Sequence, residues 1–515
     1  MKKFFVILGI AMLALVILSC GGRRTTAQAA MPLEDRMFNI AMTAPFTGFD
    51  PLRTNDSAST YVNAQIYETL YRLPPGTTVY DCLLAESLPV FAADGRSATI
   101  KLREGIKFHD GTPFNAEAVK YTIELIKDPA FGSARASIAS SIAQVEILGE
   151  YNLRLHLTYV DGVLTAKLAH TNSAIVSPTA QKAQDLMVRP VGTGPYKFVS
   201  SISGANVVLE RNDDYWRPLP VIKNVTMTVI TDESTALARM ETGEADFMPN
   251  LQVPSIGRVN SMRGVTMGSS ESAQMTYVGV RPHSWRNPKM GERDFRIAIS
   301  KSIDSKGYVD FMIAGYGVPA HSVMGPQIYG YNSNANAGYP YDPDGARKMV
   351  TDNGWANEEI HILVPSTPAY TPLGEYVQAN LRAVGFNNAR IEMIDWAAWL
   401  DESKVPNRFD ITLGAWSNVT RDGSELFEPN WHSTNSSLRY FIDSKEVDDL
   451  ILASKSTAVP QDRIRALQAV DDLMMREVYT IPLYHATNVF CYSERYDNIS
   501  RDAGGTFYVK DFTIK

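Results

Sequence analysis

The sequence has little cysteine, little clustered positive charge and no catalytic grammar, and each shortage narrows what the protein can be. Three cysteines in 515 residues exclude a disulfide-stapled scaffold. The net charge is −7, and no basic tract exceeds a pair of residues. A chain without clustered Lys and Arg lacks the electrostatic footprint for a phosphate backbone, so nucleic acid is excluded as a partner. After residue 18 no apolar run approaches the length of a membrane-spanning helix. None of the eight histidines has HExxH or HxH spacing, and neither a GxSxG elbow nor a phosphate-binding GxxxxGK[ST] loop occurs. Gly192-Thr-Gly194 lacks the third glycine of a dinucleotide fingerprint and runs into Pro195, so it reads as a strand-entry turn. His109 and Asp110 are adjacent, which on a strand sends their side chains to opposite faces, and they too read as a turn. No catalytic residue, metal site or cofactor is expected.

What is present begins at the N-terminus. Lys2 and Lys3 precede an apolar run from Phe4 to Leu18. As a helix that run would extend roughly 22 Å, short of a ~30 Å hydrocarbon core. It reads as the h-region of a signal peptide over residues 1–19. Leu18-Ser19-Cys20-Gly21 then resembles a bacterial lipobox, which implies lipidation of Cys20 and attachment to a membrane through that lipid. Residues 20–36 have almost no apolar periodicity and read as a flexible tether. Cys82 and Cys491 would remain, either bridged in an oxidising compartment or as two separate buried thiols.

Beyond the tether, short apolar strands alternate with amphipathic helices, which argues an α/β fold. Thr99–Arg103 alternates as a half-buried strand, and Asn115 is placed to cap a helix carrying Val119, Ile123 and Ile126 on one face. Asp342-Pro343 to Gly354 and Thr371-Pro372 to Gly385 each open with proline in the first turn and close on glycine. Strands are expected at 390–394 and 409–413, and a long helix from Gln461 to Val478.

Several blocks together resemble the extracytoplasmic solute-binding proteins of ABC importers for peptides and nickel, family 5. They include Leu88–Ile126 with its K-F-H-D-G turn, Gly192–Phe198, Leu209–Trp216, Met240–Phe247, Asp294–Asp304, Tyr341–Arg347 and Tyr479–His485. The resemblance implies a bilobed, periplasmic-binding-protein-like fold of type II, with an extra subdomain in the first domain. Domain I would span 37–270 and return at 485–515, domain II would span 271–484, and hinge strands would lie near 267–277 and 479–488. It further implies a monomer that captures a short peptide outside the cytoplasm and passes it to ABC permease and ATPase subunits.

The resemblance also nominates ligand-binding residues. Peptide-binding members place a carboxylate three residues after a Trp to pair with the ligand's ammonium. Here that position, counted from Trp416, is Val419, and Asp422 either takes over the role or only caps the turn at Gly423. The run from Trp416 to Asp422, with Trp431-His432 beyond it, looks most like the glutathione-binding subgroup, in which Asn418, Thr420 and Arg421 could meet a carboxylate. Tyr370 and Thr47 match positions that line the cleft in the family, and Trp416 is either a pocket wall or a core residue. The alternatives are a nickel- or metallophore-binding member, for which His432 is the one histidine in the loop, a surface adhesin or chaperone, or a lipid-anchored hydrolase.

Overall fold

A computed structural model describes residues 32–515 except 75, 336–337, 406 and 435–441. The signal peptide, Cys20 and most of the tether lie outside the described residues. The backbone of the molecule is one sheet that runs through both lobes. Its strands lie in the order 389–394, 360–365, 411–417, 265–280, 480–493, 247–248, 37–42, 224–229, 206–211 and 196–202, with 317–319 pairing 480–493 off that path. Two long strands, Val265–Val280 and Thr480–Ser493, pair antiparallel and carry the sheet from one lobe into the other.

Each lobe has its own apolar interior. In the first, Phe38, Phe247, Phe490, Phe507 and Phe512 pack together, with Phe247 edge-on to the other three near it at centroid distances of 5.9, 5.0 and 5.6 Å. The chain's last residues are thereby sealed into the lobe where it begins. A four-stranded antiparallel sheet, in the order 90–91, 97–101, 152–157, 142–149, adds a layer to this lobe and is covered by the helix Ala116–Lys127. In the second lobe, parallel strands Ile360–Pro365 and Ala389–Ile394 are joined by the helix Thr371–Ala383, whose Leu373, Val377 and Leu381 are buried.

Local sequence signals account for the element ends. Asn115 accepts a hydrogen bond from the Ala118 amide, and Asp342 from Gly345, so both helices start on a side-chain cap. The strand expected at 409–413 instead runs Ile411–Ser417. Just before it Asp410, fully buried, accepts on its carboxylate from the Ser284 hydroxyl and the His361 amide, while its own amide donates to the His361 carbonyl at 3.1 Å. Cys82 and Cys491 are both free thiols, Cys491 buried in the central sheet and Cys82 half-buried in a short hairpin. Burial pushes the Cys491 thiol up to about 12, which makes it unreactive.

The family-like blocks converge on shared contacts. His109 takes the Gly192 amide on Nδ1 and donates from Nε2 to the Gly194 carbonyl at 2.9 Å, a tautomer assigned from these partners. The two glycines press against the carbonyl of Ile66, where a Cβ would stand 2.1 and 2.6 Å from that oxygen. Thr193, Tyr215 and Trp216 all donate to the buried carboxylate of Glu68 at 2.7–2.9 Å. Separate motifs in the sequence are thus one hydrogen-bonded knot in space.

Candidate functional site: the cleft between the lobes

The long strands lose register between Glu271 and Met275, where three residues, 272–274, face one on the partner strand. A bulge of this kind bends and twists a strand. Here it falls where the chain leaves one lobe for the other. The amide of Ala273 donates to the Ala503 carbonyl at 2.7 Å, and the Ala273 carbonyl accepts from the Asn418 amide at 3.2 Å. One residue, Ala273, therefore ties together the hinge, the first lobe's tail and the loop that follows strand Ile411–Ser417.

That loop, 417–423, reaches across to the first lobe. Arg421 is buried and has φ 55°, a left-handed backbone that non-glycine residues adopt at some cost. Its guanidinium donates to the carbonyls of Pro74 and Thr77, each at 3.3 Å, and to that of Leu73. The Tyr80 hydroxyl meets the Thr420 carbonyl at 3.5 Å. Three cavities open around the loop, of about 80, 220 and 330 Å³, and Val419 lines all of them. The first lies mostly within lobe one, the second lies at the bulge beside Arg501 and Asn488, and the third lies between Arg135 and the Trp416–Pro429 segment. The residue at the meeting point is the one that departs from the family's carboxylate.

The nominated residues fall into two groups. Trp416, Asn418, Arg421 and Asp422 share the strand and loop at the cleft, and the structure brings them together. Trp416 lines the third cavity and donates its indole N–H to the Glu425 carbonyl at 3.2 Å. The Asn418 amide group donates to the Asp422 carbonyl at 2.7 Å and accepts from the Thr420 hydroxyl at 3.0 Å, so it shapes the loop from inside. Asp422 is 1% exposed, and its carboxylate accepts the Ser424 amide and hydroxyl at 3.0 and 2.7 Å and Nη2 of Arg463 at 2.9 and 2.8 Å. Those partners lie within the second lobe. Tyr370 and Thr47 stand apart from this group. Tyr370 stacks on Trp396 at 6.1 Å and borders the second lobe's core, and burial pushes its hydroxyl up to about 12. Thr47 is exposed and donates to Asp56 at 2.6 Å, within the cluster that caps the helix Ser57–Ile66.

Other cavity residues carried no sequence signal. Arg501 is buried and donates to the Gly505 and Pro249 carbonyls and to the Tyr61 hydroxyl. Asp502 is raised by burial, against the pull of nearby Arg421. Arg135 and Glu425 face the third cavity. Each lies in a segment with ordinary polar composition, and only the approach of two distant parts of the chain puts them at the cleft.

A two-lobed α/β body, a sheet continuous through a hinge and a cleft lined from both sides define the class of solute-binding proteins. Comparison with known proteins places the chain within that class. Residues 81–437 match the family of bacterial extracellular solute-binding proteins, family 5, and the chain belongs to this family. It is 28% identical over 480 residues to the glutathione-binding protein GsiB of Shigella flexneri serotype 5b, covering 90% of this chain and 91% of that protein. Its fold matches HbpA2 from Haemophilus parasuis with a TM-score of 0.83 at 19% identity, over 93% of this chain and 100% of that one. It also matches the periplasmic binding protein DppA from Helicobacter pylori in complex with the peptide STSA, with a TM-score of 0.72 at 21% identity, over 93% and 98% of the two chains. The protein is therefore an extracytoplasmic substrate-binding protein of the ABC-transporter type.

Proposed function

We propose that the protein captures short peptides, including γ-glutamyl peptides of the glutathione kind, in the interlobe cleft and delivers them to an ABC permease and its ATPase. The observation that carries this reading is the loop 417–423, which meets cavities bordered by both lobes and has Val419 where the clamp for an α-peptide's ammonium would stand. The relatives named for glutathione binding support it. In this reading the protein acts as a monomer with lobes bounded at 37–270, 271–484 and 485–515, and Cys20 carries the lipid that holds it at the membrane.

A ligand held between lobes favours the closed form by its differential affinity for that form. Native mass spectrometry of the purified protein is expected to find a co-purified peptide, and small-angle scattering a smaller radius of gyration at ligand saturation than without ligand. Nickel chelates bound in place of any peptide would overturn the reading. Metabolic labelling with a fatty-acid probe tests the anchor: label is expected on the wild type and absent from Cys20→Ser, and label persisting on the variant would refute it.

A further inference from the structure

With Val419 apolar and the Asp422 carboxylate already engaged by Arg463 and Ser424, the cleft must meet a ligand's charged head by other means. The third cavity, of about 330 Å³, presents two charges from opposite lobes. Arg135 comes from the first lobe, beside the short helical turn Ala136–Ala139. Glu425 comes from the second, in the first turn of the helix Ser424–Trp431. Glu428 also borders this space, but its carboxylate is paired with Lys455. Among the described residues no donor lies within hydrogen-bond distance of the Glu425 carboxylate, and its neighbours Lys455 and Lys167 act on it only through space. Arg135 donates through Nε to Asn55 at 3.0 Å, and no described acceptor meets its terminal nitrogens.

Both side chains are half-buried, and burial works against both charges: it raises the Glu425 carboxyl and lowers the Arg135 guanidinium. Each is the other's counter-charge, yet the two form no ion pair in this arrangement. Two partly desolvated charges of opposite sign, facing one cavity without touching, are an incomplete site, because burying an unpaired charge is costly.

We propose that Glu425 and Arg135 form a clamp for a free α-amino-acid head, taking the ammonium on Glu425 and the carboxylate on Arg135. The inference rests on the peptide reading above and narrows it. An α-linked peptide has its ammonium and carboxylate at opposite ends and can satisfy only one of these residues at this place. A γ-glutamyl peptide carries both groups on one carbon and satisfies both. The clamp also couples binding to closure, since its halves belong to different lobes.

Calorimetric titration of the wild type, Glu425→Gln and Arg135→Gln tests the clamp with three probes: glutathione, glutaryl-Cys-Gly, which lacks the ammonium, and 4-aminobutyryl-Cys-Gly, which lacks the α-carboxylate. Glu425→Gln is expected to weaken glutathione by about tenfold or more and to leave glutaryl-Cys-Gly within about threefold. Arg135→Gln should do the same for glutathione and spare 4-aminobutyryl-Cys-Gly. Glu425→Asp, which keeps the charge, should recover part of the loss, which separates a lost contact from a misfolded variant. Equal losses for all three probes, or no loss with glutathione, would overturn the clamp. So would a wild type that binds α-linked Glu-Cys-Gly and ignores glutathione, an outcome that leaves the broader peptide reading standing. A wild type that binds neither linkage would bring down both.

Discussion

Two acid groups three residues apart on the cleft loop have opposite fates. Asp422 is sealed under the loop with Ser424 and Arg463 donating to its carboxylate, whereas Glu425 faces an open cavity with no direct partner among the described residues. A third acid, Asp471, sharpens the contrast. It is as buried as Asp422, but among the described residues no cation lies beside it: one oxygen accepts the Val323 amide at 2.9 Å, and the other has no hydrogen-bond partner among them. Burial without a counter-charge pushes Asp471 up to about 7. The same chemical group is therefore a structural strut, an uncommitted acid facing a cavity or a latent proton site, according to whether burial comes with a cation, with access to a cavity or with neither.

The largest effect is expected at the strut. Asp422→Ala would leave Arg463 buried without its anion, and unfolding by urea should show a loss of about 3–5 kcal/mol. Replacing both partners, Asp422→Leu with Arg463→Met, should recover most of that loss, because apolar groups of similar volume remove the unpaired charge. If the double variant is as unstable as the single, the pair does more than neutralise itself.

Arg421 comes next. Its contacts run between lobes, so Arg421→Ala should act on closure more than on folding. Losing charged hydrogen bonds to carbonyls removes about 1.5–3 kcal/mol from the closed form. The expected readout is a larger radius of gyration without ligand and an affinity lower by about tenfold or more, with thermal unfolding of each lobe little changed. An unchanged scattering profile would mean that the loop is not what holds the lobes together.

The smallest effect belongs to Asp471, and its sign follows from the raised folded value. An acid whose folded pKa lies above its unfolded value holds its proton better when folded, so stability falls as pH rises from near 4 toward 7. Asp471→Asn keeps an acceptor for the Val323 amide and cannot ionise. The variant should be more stable than wild type above pH 7, by about 1 kcal/mol or more, and the difference should shrink to nothing below pH 4. A pH-independent difference would show that Asp471 is ionised or neutral alike in both states.

Much of the fold was legible in the residues. Caps at Asn115 and Asp342, proline-led helix starts and the period of Leu373, Val377 and Leu381 are local signals, and each helix formed where its signal lay. The strand expected at 409–413 runs 411–417, and the carboxylate of Asp410 just before it is taken up by Ser284 and His361, partners more than forty residues away in sequence. The site was less legible. The loop from Trp416 to Asp422 stood out as a motif, but nothing in its sequence distinguishes an Asp that meets Arg463 from one that meets a ligand.

By itself the sequence determined the local grammar, the alternation that makes an α/β body and the absence of clustered positive charge. It also carried the ordered blocks that mark the family. Tertiary structure alone decided which charges are paired. Arg463 lies forty-one residues from Asp422, and Arg421 reaches carbonyls more than three hundred residues away. The pairing of a charge depends on distance and on the water excluded around it, and both are set only when remote segments pack. That is why Val419 could be noticed as an oddity in the chain, while Arg135 and Glu425 became a pair only across the cleft.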